Sequence, residues 1–213
     1  PITLLPAILR VLLRIVDNKL RHLIQEGQLK VPLEQGGFLP SRSTHLQAFL
    51  LLLLRDHARH AGRSLYVAFL DIEKAFDSIS HVHLLEVLRK VGVPHALVDA
   101  IHRLLPHFRL ELFGVEVPQE KGTFQGSPLS PLLCVLFLID LILYLAGDEA
   151  SAFHGTKLPW SKETIQDVIR LLLFADDIVL LANDVAQLQV ALDLLAIWAK
   201  KRGMRFSQGK YKA

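Results

Sequence analysis

The sequence predicts an α+β fold, in which helices accompany short antiparallel strands. Segments with apolar residues at helical spacing recur along the chain, and apolar runs of strand length lie between them. The clearest strand signal runs from Leu171 to Ala182, where two apolar runs flank Asp176 and Asp177. Aspartate tolerates turn backbone angles and hydrogen-bonds to its own backbone, so this pattern indicates a hairpin with both carboxylates at its tip.

The composition favours one large domain with its own core. The chain has 213 residues, of which 51% are apolar and 21% charged, as expected for a globular protein. Its net charge of +3 permits a polyanionic partner but does not argue for one. The one cysteine, Cys134, excludes an internal disulfide and fits a core position in a reducing, intracellular compartment.

No membrane partner is expected. The apolar stretches 46–54 and 131–146 are too short or are interrupted by Asp140, so buried helices are predicted in their place. The chain opens with Pro1-Ile2-Thr3 and has no signal-peptide pattern, and we expect it to be a segment of a longer polypeptide.

The first part of the chain predicts two helices joined by a loop. Apolar residues keep a helical period from Leu4 to Leu23, and the basic residues between them fit either a solvated face or a nucleic-acid contact. The segment from Glu34 to Thr44 is rich in turn formers and carries Arg42 among small residues, so it is either an anion-binding loop or an ordinary connection. A second helix is expected from Gln47 to His60.

The middle of the chain predicts a strand, two helices, a hairpin and an apolar helix. The buried-strand run Leu65 to Leu70 is followed directly by Asp71, at a position where open sheets carry active-site groups. The other elements expected in this part are a helix from about Ser80 to Gly92, a helix from Pro94 to Leu105, a hairpin from Phe108 to Val117, a loop from Lys121 to Pro131, and a helix with Ser130 and Pro131 in its first turn. The histidine spacings match no zinc motif.

The last part of the chain predicts a hairpin and a capped helix. Residues 146–169 have the weakest pattern and are expected to form a loop or irregular hairpin. Asp184 and Gln187 resemble a capping box at the start of a helix that Gly203 ends. A final strand is expected from Met204 to Phe206.

The two adjacent aspartates have two interpretations. Neighbouring carboxylates in an apolar setting repel each other and lose hydration, and a divalent cation would relieve both costs. Hard oxygen ligands suit Mg²⁺, which serves phosphoryl transfer. The alternative is a solvated turn with no chemical role.

Four stretches of the chain together resemble the reverse transcriptase domain of non-LTR (LINE-type) retrotransposons. Phe69 to Asp77 is similar to the first catalytic motif of that family, and Phe174 to Asp177 to the second. Gln125 to Leu132 is similar to its template and nucleotide loop, and Gln35 to Thr44 to its fingers segment. The resemblance covers nearly the whole chain and implies a right-hand polymerase palm, which is a small antiparallel sheet backed by helices.

The resemblance implies a two-metal active site. Asp71 and Asp176 would hold two Mg²⁺ ions, with Mn²⁺ as an alternative, and Asp177 is the third acidic position. Phe76 matches the aromatic residue that excludes a 2′-hydroxyl, although its position also fits core packing. Gln125 and Gly126 would line the nucleotide pocket.

Four basic residues complete the implied substrate site. Arg42, with Arg14 and Arg21, would line a groove for nucleic-acid phosphates. Lys210 falls near a late lysine of the family that could act as general acid, but Ser207 stands where an asparagine is more usual.

The resemblance also implies an organisation and a set of partners. Residues 1–64 would belong to the fingers and 65–213 to the palm, with the primer grip and thumb outside this chain, so the isolated segment is expected to be weakly active. The partners would be an RNA template, a DNA primer, dNTPs and further domains of the same polypeptide, in the nucleus if the element is eukaryotic. The alternatives are a domesticated copy that only binds RNA, an RNA-dependent RNA polymerase, and a helical interaction module.

Overall fold

The computed structural model describes residues 5–105, 109–112, 115–118, 120–123, 126–157 and 168–207. Its helices and strands follow one another along the chain in this order: α1 (Ala7–Gln25), α2 (Thr44–His60), β1 (Tyr66–Asp71), α3 (Ala75–Ser78), α4 (His81–Lys90), α5 (His95–Leu104), β2 (Arg109–Leu112), β3 (Val115–Pro118), α6 (Ser130–Ala146), a short 3₁₀ helix (Asp148–Ala150), β4 (Thr156–Lys157), β5 (Val168–Ile169), β6 (Leu171–Phe174), β7 (Asp177–Ala182) and α7 (Val185–Arg202). The predicted α+β class is confirmed.

The chain divides into two compact units. The first unit contains Pro1–Val31 and Lys74–Asp140, and the second contains Pro32–Glu73 and Leu141–Ala213. The division falls within α6, so each unit includes part of that helix. The predicted division into fingers and palm parts at residues 64 and 65 stays a prediction.

The first unit is mainly helical. The buried stripe of α1 consists of Leu13, Val16 and Leu20, at the spacing the sequence predicted, and α1 contacts α5. Asp17 lies on the same buried side, where the Arg21 Nε donates to both of its carboxylate oxygens at 3.0 Å. This pair meets the need of a buried carboxylate for a charged partner. It also gives Arg21 a structural role in α1.

The second unit is organised around a three-stranded antiparallel sheet in the order β1-β7-β6. Leu50 and Leu54 of α2 pack with Leu172 and Leu181 on one face of this sheet. Strands β1 and β7 also contact α7, and the side chains on the opposite face are buried. These are Ala68, Leu70, Ile178 and Leu180. The strands therefore have continuous apolar sequences, as expected when both faces of a sheet are covered.

The ends of the last elements match the sequence predictions in part. Asp184 caps α7 by accepting a hydrogen bond from the Gln187 N–H at 2.7 Å, and Gly203 ends the helix with a left-handed φ of 70°. The Gln187 side chain does not complete a capping box, because it accepts from the His154 N–H and donates to the Ala152 carbonyl. Within 146–169, β4 pairs with β5 as the predicted irregular hairpin.

The predicted final strand is shorter than expected. Phe206 forms an isolated antiparallel bridge with Ile72, and residues 204–207 form no longer strand. As for the apolar stretches, no helix in the described ranges is both long enough and apolar enough to cross a membrane.

Candidate active site

Three aspartates lie at one end of the sheet of the second unit. Asp71 is the last residue of β1, and it stands opposite Asp177, the first residue of β7. Phe174 pairs with Asp177, so Ala175 and Asp176 form a two-residue turn between β6 and β7. The predicted hairpin is therefore present with both carboxylates at its tip, and the register brings Asp71 and Asp177, 106 positions apart in sequence, to the same end of one sheet.

The face that carries Asp71 and Asp177 opens progressively toward them. Because side chains alternate along a strand, Val67, Phe69 and Asp71 share this face with the residues opposite them on β7. The α2 cluster covers the Val67 end, whereas Phe69 is 44% exposed and Asp177 is exposed. The cover of α2 thus ends before the carboxylates, which leaves them accessible within this unit.

Asp71 is held by the segment that follows α7. The Ser207 hydroxyl donates to Asp71 Oδ2 at 3.1 Å, and the Ser207 N–H donates to the Asp71 carbonyl at 2.9 Å. The Glu73 N–H donates to the Arg205 carbonyl at 2.8 Å, so residues 205–207 run along the outer edge of β1. These contacts fix both the backbone and the carboxylate of Asp71.

The donor set fits a hard divalent cation in its chemistry. Like charges directly opposite each other on neighbouring strands are destabilising, and a cation beside Asp71 and Asp177 would remove this repulsion. Among the described residues, no group of three or more His, Cys, Asp or Glu side chains is arranged to hold a metal ion. Mg²⁺ commonly uses one or two carboxylates and completes its shell with water and substrate phosphates, so two opposed carboxylates suit it.

Arg42 lies in the same unit but is engaged within its own loop. Its Nη1 donates to the Pro32 carbonyl and, at 2.5 Å, to the Gln35 carbonyl. Burial lowers the pKa of this guanidinium, and the nearby Glu34 carboxylate partly offsets the effect. Burial also raises the pKa of the Glu34 carboxyl, against the influence of Arg170 and Arg42. The structure gives Arg42 a role in holding this loop. A contact between Arg42 and nucleic acid stays a prediction.

Phe76 and Gly126 belong to the first unit. Phe76 is half-buried in α3, and its carbonyl accepts the Thr123 N–H at 2.7 Å. The Gly122 N–H donates to the Ile79 carbonyl at 2.7 Å, and the Gly122 carbonyl oxygen lies 2.8 Å from His81 Nε2. Residues 122–123 are thereby tied to α3, which carries Phe76, and to the segment that follows α3, while Gly126 is exposed. Gln125 and Lys210 lie outside the described residues, and their roles stay predictions.

Two contributors to the site had weak sequence signals. Ser207 was visible only as a departure from the family pattern, although it is the residue that hydrogen-bonds to Asp71. Gly37 was visible only as part of a glycine pair in a loop, yet it packs against the backbone of Ala175. No periodicity or charge pattern could have shown these contacts, because each joins segments more than 130 residues apart in sequence.

Comparison with known proteins identifies the family. Residues 1–213 match the family model described as reverse transcriptase (RNA-dependent DNA polymerase). The chain belongs to the reverse transcriptase family. Members of this family use divalent metal ions, which agrees with the chemistry of the aspartate cluster.

The curated relatives are proteins of retrotransposable elements. The chain is 32% identical over 181 residues to the retrovirus-related Pol polyprotein from type-2 retrotransposable element R2DM of Drosophila melanogaster, which covers 83% of this chain and 16% of the relative. It is 28% identical over 217 residues to the polyprotein from type-1 retrotransposable element R2 of Nasonia vitripennis, covering 99% of this chain and 19% of the relative. The chain thus spans less than a fifth of these two relatives. The resemblance to a non-LTR reverse transcriptase domain is confirmed.

A solved structure supports the fold. Apo telomerase from Candida tropicalis, truncated from its C-terminal domain, matches with a TM-score of 0.58 at 16% identity, over 96% of this chain and 39% of that one. The predicted fold, a palm-like arrangement of helices and small antiparallel sheets, is confirmed. The family and the fold together decide against the alternative of a helical interaction module.

Proposed function

We propose that this chain carries the catalytic centre of an RNA-directed DNA polymerase within a retrotransposon protein. The reaction would transfer a nucleotidyl group from a dNTP to the 3′-hydroxyl of a DNA primer that is paired with an RNA template. The observation that carries this proposal is the placement of Asp71 opposite Asp177, with Asp176 in the adjoining turn, at the open end of the sheet.

The proposed roles of the aspartates follow from their charge and position. We infer that the site binds two Mg²⁺ ions, or Mn²⁺ in their place, which would lower the pKa of the primer hydroxyl and neutralise charge on the leaving pyrophosphate. Asp71, Asp176 and Asp177 would supply carboxylate oxygens for them. Asp177 adds negative charge opposite Asp71, and the Ser207 hydroxyl restricts the rotation of the Asp71 carboxylate.

The substrate contacts in this proposal come from four further residues. Phe76 would contact the sugar of the incoming nucleotide and exclude a 2′-hydroxyl, while Gln125 and Gly126 would line the template and nucleotide pocket. Lys210 would donate a proton to the pyrophosphate. The template would be held mainly through its phosphates, so its affinity should depend on salt concentration.

The test is primer extension by the full-length polypeptide that contains this chain. Asp176→Asn should reduce the rate of Mg²⁺-dependent extension of a DNA primer on an RNA template by about 10²–10³-fold, because the change removes charge at the metal site. Asp193→Asn is the matched control, since Asp193 is an exposed residue of α7 with the same change in charge. Extension by the Asp176 variant at the rate of the control would contradict the proposal.

Two further measurements test the identity of the nucleotide and of the template. Phe76→Val should raise incorporation of ribonucleotides relative to deoxyribonucleotides, and an unchanged ratio would remove the gating role. Omitting the RNA template, with the primer retained, should abolish extension. RNA binding without extension by the wild-type protein would instead favour the domesticated, RNA-binding alternative.

A further inference from the structure

The segment 34–37 forms an added edge on the sheet that carries the aspartates. The Leu173 N–H donates to the Glu34 carbonyl at 2.7 Å, and the Gly36 N–H donates to the Leu173 carbonyl at 2.7 Å. Gln35 and Leu173 therefore form a parallel bridge on the outer side of β6. An edge strand otherwise presents unpaired backbone groups, so this segment fixes the last part of β6 before its turn.

Gly37 packs directly against the first residue of that turn. A Cβ built on Gly37 would lie 2.2 Å from the Ala175 nitrogen and 2.8 Å from the Ala175 Cα. The φ of Gly37 is not in the left-handed region, so the position requires glycine for space rather than for backbone freedom. The atoms in its way belong to the backbone, and no change of rotamer can move them aside.

Gln35 holds Gly37 in this position. The Gln35 side chain is 0% exposed, and its Oε1 accepts a hydrogen bond from the Gly37 N–H at 2.9 Å. This hydrogen bond thus closes a short turn from Gln35 to Gly37. This hydrogen bond holds the Gly37 backbone in its position beside Ala175.

Ala175 has a backbone conformation that its surroundings must maintain. Its φ is 57°, in the left-handed region, which costs a residue with a Cβ roughly 1–2 kcal/mol. Such conformations persist when neighbouring structure determines them. Ala175 is buried, and Asp176 follows it directly, so any shift of Ala175 moves the carboxylate of Asp176.

We propose that Gly37, held by Gln35, is a positioning residue for Asp176: it supports the turn at residues 175–176 from the outer edge of the sheet. This inference rests on the proposed function, because it assigns Gly37 an effect on the metal-dependent step at Asp176. Gly37 itself touches the turn and not the substrate. Its effect should therefore appear in kcat and in the Mg²⁺ dependence, while the KM for primer and template stays within about threefold of wild type.

The test compares two alanine substitutions at neighbouring glycines in the full-length protein. Gly37→Ala should lower kcat by at least about 100-fold and raise the Mg²⁺ concentration for half-maximal activity by about tenfold. A Cβ at Gly36 would instead meet side-chain atoms of Gln47 at 2.5 Å, and these can be removed. The double change Gly36→Ala and Gln47→Ala should therefore keep kcat within about fivefold of wild type.

A second variant covers the case in which Gly37→Ala does not fold. Gln35→Met removes the oxygen that accepts from Gly37 but adds no atom beside Ala175, and it should shift kcat and the Mg²⁺ dependence in the same direction by about tenfold. Wild-type kcat and Mg²⁺ dependence in a folded Gly37→Ala or Gln35→Met protein would overturn the proposal. An equal loss in the Gly36 and Gln47 double variant would also overturn it, because the effect would then belong to the loop in general.

A readout that does not need catalysis separates this proposal from the proposed function. Hydrogen exchange of peptides spanning residues 171–177 should be faster in Gly37→Ala than in the double variant. If wild-type protein does not extend primers, the proposed function fails, and this exchange measurement still decides whether Gly37 supports the turn. Equal exchange in the two variants would overturn the positioning role.

Discussion

The two edges of the central sheet support the aspartates in different ways. At the outer edge of β6, residues 34–37 contact the backbone of Leu173 and Ala175. At the outer edge of β1, residues 205–207 pair with 71–73, and the Ser207 side chain also reaches the Asp71 carboxylate. The first edge fixes where a turn lies, whereas the second edge also orients a functional group. Substitutions at the two edges should therefore differ in the size and in the kind of their effects.

Removing the charge of Asp177, on the central strand β7, should have the largest effect. Asp177→Asn should lower the rate of Mg²⁺-dependent primer extension by about 10²-fold, because Asp177 faces Asp71 across the register. In the absence of divalent metal the same change should raise the free energy of unfolding by up to about 1 kcal/mol, since it removes a repulsion between like charges. Urea unfolding with and without Mg²⁺ measures the second effect.

A lower rate of primer extension together with a higher free energy of unfolding without metal would show that Asp71 and Asp177 form a functional charge pair and not a structural one. Asp193→Asn again provides the control on an exposed helical face. A loss of stability in Asp177→Asn without metal would mean that Asp177 has a stabilising partner, and repulsion from Asp71 would not be the dominant interaction.

The next largest effect is expected at the β6 edge. Arg42→Met should lower the free energy of unfolding by about 1–2 kcal/mol, because methionine cannot donate the hydrogen bonds that the guanidinium Nη1 makes to the carbonyls of Pro32 and Gln35. The salt dependence of RNA binding should not change if Arg42 acts only inside the loop. A slope of log affinity against log salt concentration that falls by about one would show instead that Arg42 neutralises a phosphate.

The β1 edge should respond more weakly. Ser207→Ala removes the hydroxyl that donates to Asp71 Oδ2 but keeps the backbone hydrogen bond, so primer extension should slow by about 5–10-fold. Ser207→Thr retains the hydroxyl and should recover most of the rate. If Ser207→Thr is as slow as Ser207→Ala, the hydroxyl is not the group that matters at this edge.

The difference between the edges also shows what sequence could predict. The strand run before Asp71 and the hairpin around Asp176 were readable because apolar runs and turn residues act locally, and the structure places both as expected. The contacts of Gly37 and Ser207 depend on which distant segment each one meets. A missing Cβ or a single hydroxyl leaves no periodic signal, so only the fold could reveal these contacts.

The helices show the same limit in a milder form. Apolar spacing predicted α1 and α2 to within about three residues at each end, since burial and capping signals are local. The Asp184 cap was predicted correctly, but the Gln187 side chain binds loop atoms of residues 152 and 154 in preference to the helix start. A long-range partner replaced the local one that the sequence pattern indicated.

The smallest effect is expected from Glu34, beside the β6 edge. Burial raises the pKa of its carboxyl, so the folded state favours the protonated form more than the unfolded state does. The stability that protonated Glu34 contributes is fully present below the pKa of the unfolded state and is lost as the pH rises through the pKa of the folded state. Glu34→Gln should therefore raise the free energy of unfolding at pH 7, and the gain should disappear near pH 4. Urea unfolding at the two pH values measures it, with exposed Glu120→Gln as the control. A loss of stability at pH 7 would show that attraction to Arg170 and Arg42 outweighs the cost of burial.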